Sequence, residues 1–257
     1  MYIKPEIFNK FGNVVCGVST RFGKEPRPPF DFNMSFKVGD DTDAVKRNRK
    51  DFFDALGIDG SKVSFQFQTH STINNYVGET SFFNGSDGLY TDKEDLFLAV
   101  NVADCVPVFI YDSMNKVAAG IHSGWKGTQQ KIVTHTINTL MEKFKSKPEN
   151  LYVYLGPGIS VKNFEVGKDV FDLFDDEFKE VSDGKYYVDL RKDIYTRLLR
   201  QGVKAENVEV SEYCTVEDEG LFHSYRRDGA KSGRMLGVIG MRENLEFKIK
   251  RFKAKML

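Results

Sequence analysis

Apolar residues recur along this chain with two periods, and the switching between them predicts a protein of mixed helices and strands. From Asp41 the stretch DTDAVKRNRKDFFDALG opens on a capping acid, carries Val45, Phe52 and Leu56 on one helical stripe, and meets Gly57. That pattern predicts a helix closed by the glycine. Position 49 falls on the same stripe and is an arginine. Phe65 and Phe67 alternate with Gln66 and Gln68, as in a strand ending near His70. LFLAVNV is a short apolar run from Leu96, interrupted by Ala103-Asp104 and resumed by CVPVFIYD. After the turn SMNK, VAAGIH makes a third strand. Beyond Ser123-Gly124-Trp125 the spacing predicts a helix to about Phe144, with Val133, Ile137, Leu140 and Phe144 inward and His135 facing solvent. Farther on, 151–156 and 207–211 read as strands, 167–178 and 192–200 as helices. Hairpins interleaved with helices predict an α+β or layered α/β fold in place of a doubly wound sheet, with 1–257 forming one domain.

Charge and cysteine usage narrow the partners. Lys+Arg 37 balance Asp+Glu 37, so no net field favours nucleic acid or an anionic membrane. A basic run, Lys248, Lys250, Arg251, Lys253 and Lys255, closes the chain and reads as a solvated end. The N-terminal stretch lacks the pattern of a signal peptide, and no apolar run approaches the ~18 residues of a membrane span. Cys16, Cys105 and Cys214 are too few and too scattered for a disulfide framework. The expectation is a cytoplasmic protein.

The hairpin brings two metal-binding residue types together. With Tyr111 opposite Val117, Val106 falls opposite His122, and a shift of one residue would set Cys105 opposite His122. Directly opposed Cβ atoms lie ~4.5–5.5 Å apart, close enough for a thiolate and an imidazole to share a metal ion or a proton. A bulge at Ala103-Asp104 would supply such a shift. His70, at the end of its own strand, is a third ligand candidate. Two imidazoles and a thiolate suit Zn²⁺ first and Cu²⁺ second, and three ligands with an open position are the pattern of a catalytic site. On spacing alone, Cys105 also reads as a small buried hydrophobe. Arg49 on an apolar stripe needs either a buried carboxylate or an anionic ligand, with Asn48 beside it. Leu155-Gly156-Pro157-Gly158-Ile159 reads as a tight turn, with backbone N–H groups presented to an anion as the alternative. The segment 224–234, with Arg226, Arg227 and Arg234, reads as a solvated loop or as an anion-handling element.

Taken together, FNMSFKVGDD, AVKRNR, QTHS, NVADCVPVFIYD, GIHSGWKGT, LGPGIS with EVGKDV, and SYRRDG with SGRM resemble the laccase-domain family. It is also called multicopper polyphenol oxidase-like, and its members are described as purine nucleoside phosphorylases or peptidoglycan-editing factors. The resemblance runs from about residue 17 to 240. It implies a layered α/β/β/α domain, with mixed sheets packed together and helices outside. It implies a zinc ion on His70, Cys105 and His122, and Arg49 at the substrate site. The implied chemistry is cleavage of adenosine, inosine, guanosine and methylthioadenosine with phosphate, together with adenosine deamination. Two departures stand out: NMSF at 33–36, which keeps Asn33, and His223, an extra histidine near a site arginine that copper would find attractive.

The expected enzyme is therefore a zinc-dependent purine nucleoside phosphorylase. Arg49 would orient phosphate, with Asn33, Arg226 and Arg227 as further substrate contacts. For deamination, a metal would make water nucleophilic at neutral pH. Asp104, beside a ligand, is expected to orient an imidazole or to act as a general base. A copper polyphenol oxidase is the first rival. However, His135 and His223 are the only remaining histidines, too few for a multicopper cluster. A cysteine amidase acting on peptidoglycan precursors is the second, with Cys105 as nucleophile and His122 as its base.

Overall fold

The computed structural model describes residues 1–243. The basic run at 248–255 lies outside the described residues. In chain order the strands are β1 (Tyr2–Ile3), β2 (Val14–Ser19), β3 (Val63–Phe67), β4 (Asn74–Tyr76), β5 (Phe82–Asn84), β6 (Gly88–Thr91), β7 (Leu96–Val102), β8 (Val106–Asp112), β9 (Val117–Ser123), β10 (Leu151–Leu155), β11 (Glu165–Val166), β12 (Lys179–Ser182), β13 (Lys185–Val188), β14 (Val208–Val210) and β15 (Met235–Met241). The helices are α1 (Thr42–Leu56), α2 (Trp125–Gln129), α3 (Ile132–Phe144), α4 (Lys168–Phe171), α5 (Leu190–Arg200) and α6 (Tyr225–Asp228).

Two six-stranded mixed sheets carry the fold. The first runs β1-β2-β15-β7-β3-β5 and the second β14-β10-β8-β9-β6-β4, while β11-β13-β12 form a small third sheet. Apolar residues from both large sheets, such as Leu98, Val100 and Ile239 against Phe109, Tyr111 and Ala118, fill one buried cluster between them. The outer face of the first sheet packs Phe97, Ala99 and Val238 on Phe52, Phe53 and Leu56 of α1. The outer face of the second packs Val108, Ile110 and Ala119 on Ile137 and Leu140 of α3 and Ile194 and Leu198 of α5. This is the expected α/β/β/α layering, and two buried sheet faces explain the near-continuous apolar runs of β7, β8 and β9.

Several boundaries differ from the sequence expectation. Helix α1 starts where predicted: Asp41 accepts from Ala44 N, and Gly57 closes the helix at φ 66. The helix predicted from Gly124 to Phe144 is broken into α2 and α3 by Lys131 in the left-handed region, φ 63. The segment 167–178 forms only the single turn α4 and a short 3₁₀ turn at Asp176–Phe178. Its acidic run Asp172, Asp175, Asp176 favours turns over helix interior. The β8–β9 register is shifted, pairing Asp112 with Val117, Pro107 with His122 and Val106 with Ser123. Asp112 sets it by accepting from Met114 N and Asn115 N, which closes a four-residue turn. Among the described residues no helix is long and apolar enough to cross a membrane.

Candidate metal centre

His70, Cys105 and His122 come together at one end of the sheets, each held by a different local device. His122 lies on β9 opposite Pro107 of β8. Cys105 precedes β8, two residues before Pro107, so strand alternation sets Cys105 and His122 on one face as diagonal neighbours. The one-residue shift that the sequence seemed to require toward Cys105 is absent; the observed register achieves the approach without it. Asp104, at φ 84, ends the run after β7 and lets the chain re-enter as β8. His70 follows β3 and is itself left-handed, φ 58.

The three ligand atoms lie within 4.8 Å of one another. Cys105 Sγ is 3.9 Å from His70 Nε2. The two imidazole rings meet edge to face, with centroids 4.9 Å apart. His122 Nδ1 is 2.8 Å from Asp87 Oδ1, which leaves Nε2 as its free ligand atom. Two imidazoles and one thiolate that converge with open space beside them fit a divalent transition metal; the donor set alone does not fix which.

Gly124 keeps that space open. It lies one step beyond the Val106–Ser123 pair, opposite Cys105. A Cβ there would come within 2.9 Å of Cys105 Sγ and 2.8 Å of His70 Cδ2. Its backbone, φ −78 and ψ 177, suits any residue, so the requirement is spatial. Gly124→Ala is expected to fold normally and to lower metal affinity by about 10- to 100-fold, the range seen when ligands are misplaced. Calorimetric metal titration together with thermal melting checks both halves.

Asp87 organises the centre, and the sequence reading missed it. Its fully buried carboxylate accepts from the backbone N of Thr69, His70 and Ser71, from Ser71 Oγ, and pairs with His122. One side chain thus fixes the strained His70 turn and the ring of His122. Its signal in sequence was a Ser-Asp-Gly before the strand GLYT, which reads as an ordinary turn. Burial pushes the Asp87 carboxyl up, but His122 and Ser71 together outweigh it and hold it down at about 2. Burial also raises the Cys105 thiol, yet the charge and hydrogen bond of His122 and contact with His70 bring it to about 6. For His122, burial lowers the pKa, while Cys105 and Asp87 raise it to about 9. The mutual effect of the three groups favours the thiolate of Cys105 and the imidazolium of His122 beside the Asp87 carboxylate.

The other predicted site residues separate into those that reach the cavity and those that do not. Arg49 and Arg234 both line a cavity of about 660 Å³ that opens over the cluster, walled by Phe36, Phe65, Phe67, Phe82 and Tyr225. Arg49 is stacked between Phe36 and Phe65, at 4.4 and 4.3 Å, and donates Nε to Met34 O. Burial lowers its pKa to about 10. Among the described residues no carboxylate pairs with Arg49, so the buried ion pair allowed by sequence is not formed. Arg234 also has no ion pair there; it donates Nη1 to the carbonyls of Ser232 and Gly233.

Asn33 does not face the cavity. Its amide is fully engaged with Ser35, Asp40 and Arg234 N, which ties the loop carrying Met34 to Arg234 just before β15. Asp104 does not reach either imidazole. Its carboxylate accepts from Thr215 Oγ1 and Arg226 N, so the orienting role expected of it is held by Asp87. Arg226 and Arg227 are also turned away: Arg226 donates to the carbonyls of Asn163 and Glu165, and Arg227 to those of Thr215, Val216 and Phe222 and to Asp228. His223 is buried apart from the cluster, with burial first and Arg21 next pushing its pKa down to about 3. It packs against Gly233, where a Cβ would strike its ring.

Residues 15–242 match the family described as multi-copper polyphenol oxidoreductase laccase. The chain is 32% identical over 248 residues to purine nucleoside phosphorylase YlmD of Bacillus subtilis, covering 90% of this chain and 89% of that protein. It is 36% identical over 215 residues to purine nucleoside phosphorylase CA_C1699 of Clostridium acetobutylicum, covering 81% and 86%. Among solved structures it is similar to the hypothetical protein YfiH of Bacillus licheniformis, with TM-score 0.87, 32% identity and 94% and 96% coverage. It is also similar to YlmD of Geobacillus stearothermophilus, with TM-score 0.85, 32% identity and 91% and 94% coverage.

Proposed function

The chain belongs to the multi-copper polyphenol oxidoreductase laccase family, and on that premise we propose that it is a zinc-dependent purine nucleoside phosphorylase acting on adenosine, inosine, guanosine and methylthioadenosine. The observation that carries this reading is the joint placement, in one aromatic-walled cavity, of three converging candidate ligands and two arginines that have no carboxylate partner among the described residues. Relatives named purine nucleoside phosphorylase support the substrate class.

Each component has a physical task. The phenylalanines and Tyr225 offer flat apolar surface for a purine. Arg49 and Arg234 offer charged forks for phosphate; these positions favour Arg234 over Arg226 and Arg227 for the second contact. In the reaction a phosphate oxygen bonds to C1′ of the ribose as the C1′–N9 bond breaks. The electron pair stays on the base, and solvent supplies the proton that neutralises it. A divalent metal on His70, Cys105 and His122 would supply Lewis-acid stabilisation of negative charge, and the donor set suits zinc before copper. Adenosine would also be deaminated, water displacing ammonia at C6.

The test is product chromatography of adenosine and inosine with and without phosphate on protein of known metal content. Phosphate-dependent release of base and ribose 1-phosphate supports the reading; its absence at full metal occupancy sinks it. Arg49→Ala and Arg234→Ala are each expected to raise the KM for phosphate by about tenfold or more, the worth of a charge-assisted contact. Initial rates at varied phosphate check this.

One observation favours a second reading. Cys105, His122 and Asp87 stand in the order nucleophile, base and orienter, the arrangement of a cysteine amidase. Such an enzyme, acting on peptidoglycan precursors, would keep its activity after chelation, whereas the phosphorylase would lose it.

A further inference from the structure

Asn101 lies at the end of β7 and lines the cavity together with Ala103 and Cys105. Its main chain is clamped by the Gln68 side chain, which donates to Asn101 O and accepts from Asn101 N, both at 2.8 Å. Its own carboxamide is not so provided for: Oδ1 is buried without a hydrogen-bond partner. Buried acceptors of this kind are rare and costly in native folds, and a functional role is one reason they persist. Among residues lining the cavity, one other buried amide atom lacks a partner, Gln66 Nε2. That side chain already accepts from Ser86, and strand alternation turns it away from the face of Val63 and Phe65. Asn101 is therefore an amide on a clamped stretch of backbone at the cavity wall whose own hydrogen-bonding capacity the fold does not use, and rotation about its Cβ–Cγ bond turns the buried Oδ1 toward the cavity.

We infer that Asn101 reads the base of the nucleoside at N7 and the C6 substituent, which rests on the phosphorylase reading and deepens it. A carboxamide holds a donor and an acceptor side by side. The N7–C6 edge of adenine presents an acceptor and an amino donor; that of hypoxanthine or guanine presents two acceptors. Asparagine serves both edges, donating to N7 or O6 and accepting from a 6-amino group. The donation to the ring also stabilises the electron pair left on the base when the C1′–N9 bond breaks. An ionised carboxylate at the same place has no donor. It accepts from a 6-amino group and repels a 6-oxo group.

The test compares wild type, Asn101→Asp and Asn101→Leu by kcat/KM for adenosine and inosine at saturating phosphate, with melting temperatures. In Asn101→Asp the adenosine-to-inosine ratio is expected to rise about ten- to a hundredfold. In Asn101→Leu both values are expected to fall by about tenfold or more, with the melting temperature unchanged or higher, because no protein hydrogen bond is lost. An unchanged ratio in a folded Asn101→Asp overturns the inference, and so does full activity in Asn101→Leu if the aspartate variant does not fold. A wild type that cleaves neither nucleoside with phosphate overturns the phosphorylase reading and this inference with it, a result distinct from wild-type turnover with an unmoved ratio.

Discussion

Cys105→Ala is expected to weaken zinc binding by about two orders of magnitude and to reduce nucleoside cleavage to background. The magnitude follows from the ligand count. Structural zinc sites with four ligands bind with ~10–16 kcal/mol, or roughly 3 kcal/mol per ligand, which is about a hundredfold in affinity. A three-ligand site has no spare. The alanine variant alone does not separate a ligand from a nucleophile, but Cys105→His does. Histidine restores a nitrogen donor beside His70 and His122 and removes the thiol. On the phosphorylase reading it recovers much of the metal affinity and part of the cleavage. On the amidase reading it recovers metal and no activity. Metal analysis with a competing chelator, run beside product chromatography, reads both quantities. Unaltered zinc affinity in Cys105→Ala would remove Cys105 from the ligand set.

The cluster of candidate ligands was visible in sequence because each residue carries its own chemistry, and two of them sit on one hairpin. Their geometry was less legible. The register depended on Asp112 capping its turn, a local contact that shifts every pair by one residue. Arg49 was recognisable because a charge on an apolar stripe demands an explanation, and the structure answers with two aromatic rings and a cavity. Arg226, Arg227 and Asp104 misled for the opposite reason. Polar residues near a motif suggest substrate contact, but backbone carbonyls and Thr215 absorb them, which sequence spacing cannot reveal. The mixed class was legible from hairpins interleaved with helices and the α/β/β/α layering from the family resemblance, whereas the break at Lys131 was not legible, since a single left-handed residue leaves no periodic trace.

Asp87 was the least legible and has the second largest expected effect. Its carboxylate takes bonds from four groups of the Thr69–Ser71 turn and from His122. Asp87→Asn keeps the shape but replaces an acceptor oxygen with a donor, facing N–H groups that already point inward. The expected cost is about 3 kcal/mol, because buried donors lose partners and His122 loses its counter-charge. For a chain of this length that corresponds to a melting temperature lower by about 10 °C. Metal affinity should fall a further 10- to 100-fold, since the His70 turn and the His122 tautomer are both released. The acid limb gives an independent check. With a folded pKa of about 2, below the ordinary 3.8, the carboxylate stabilises the fold above about pH 4, and this is lost as pH falls through 2. That contribution is about 2 kcal/mol at neutral pH and should be missing from Asp87→Asn, so the stability gap between the variants narrows on acidification. Urea titrations of the metal-free proteins at pH 7 and near pH 3 measure it. A gap that stays constant would show that Asp87 acts through shape alone, and that the centre is held by the Thr69–Ser71 turn without its charge.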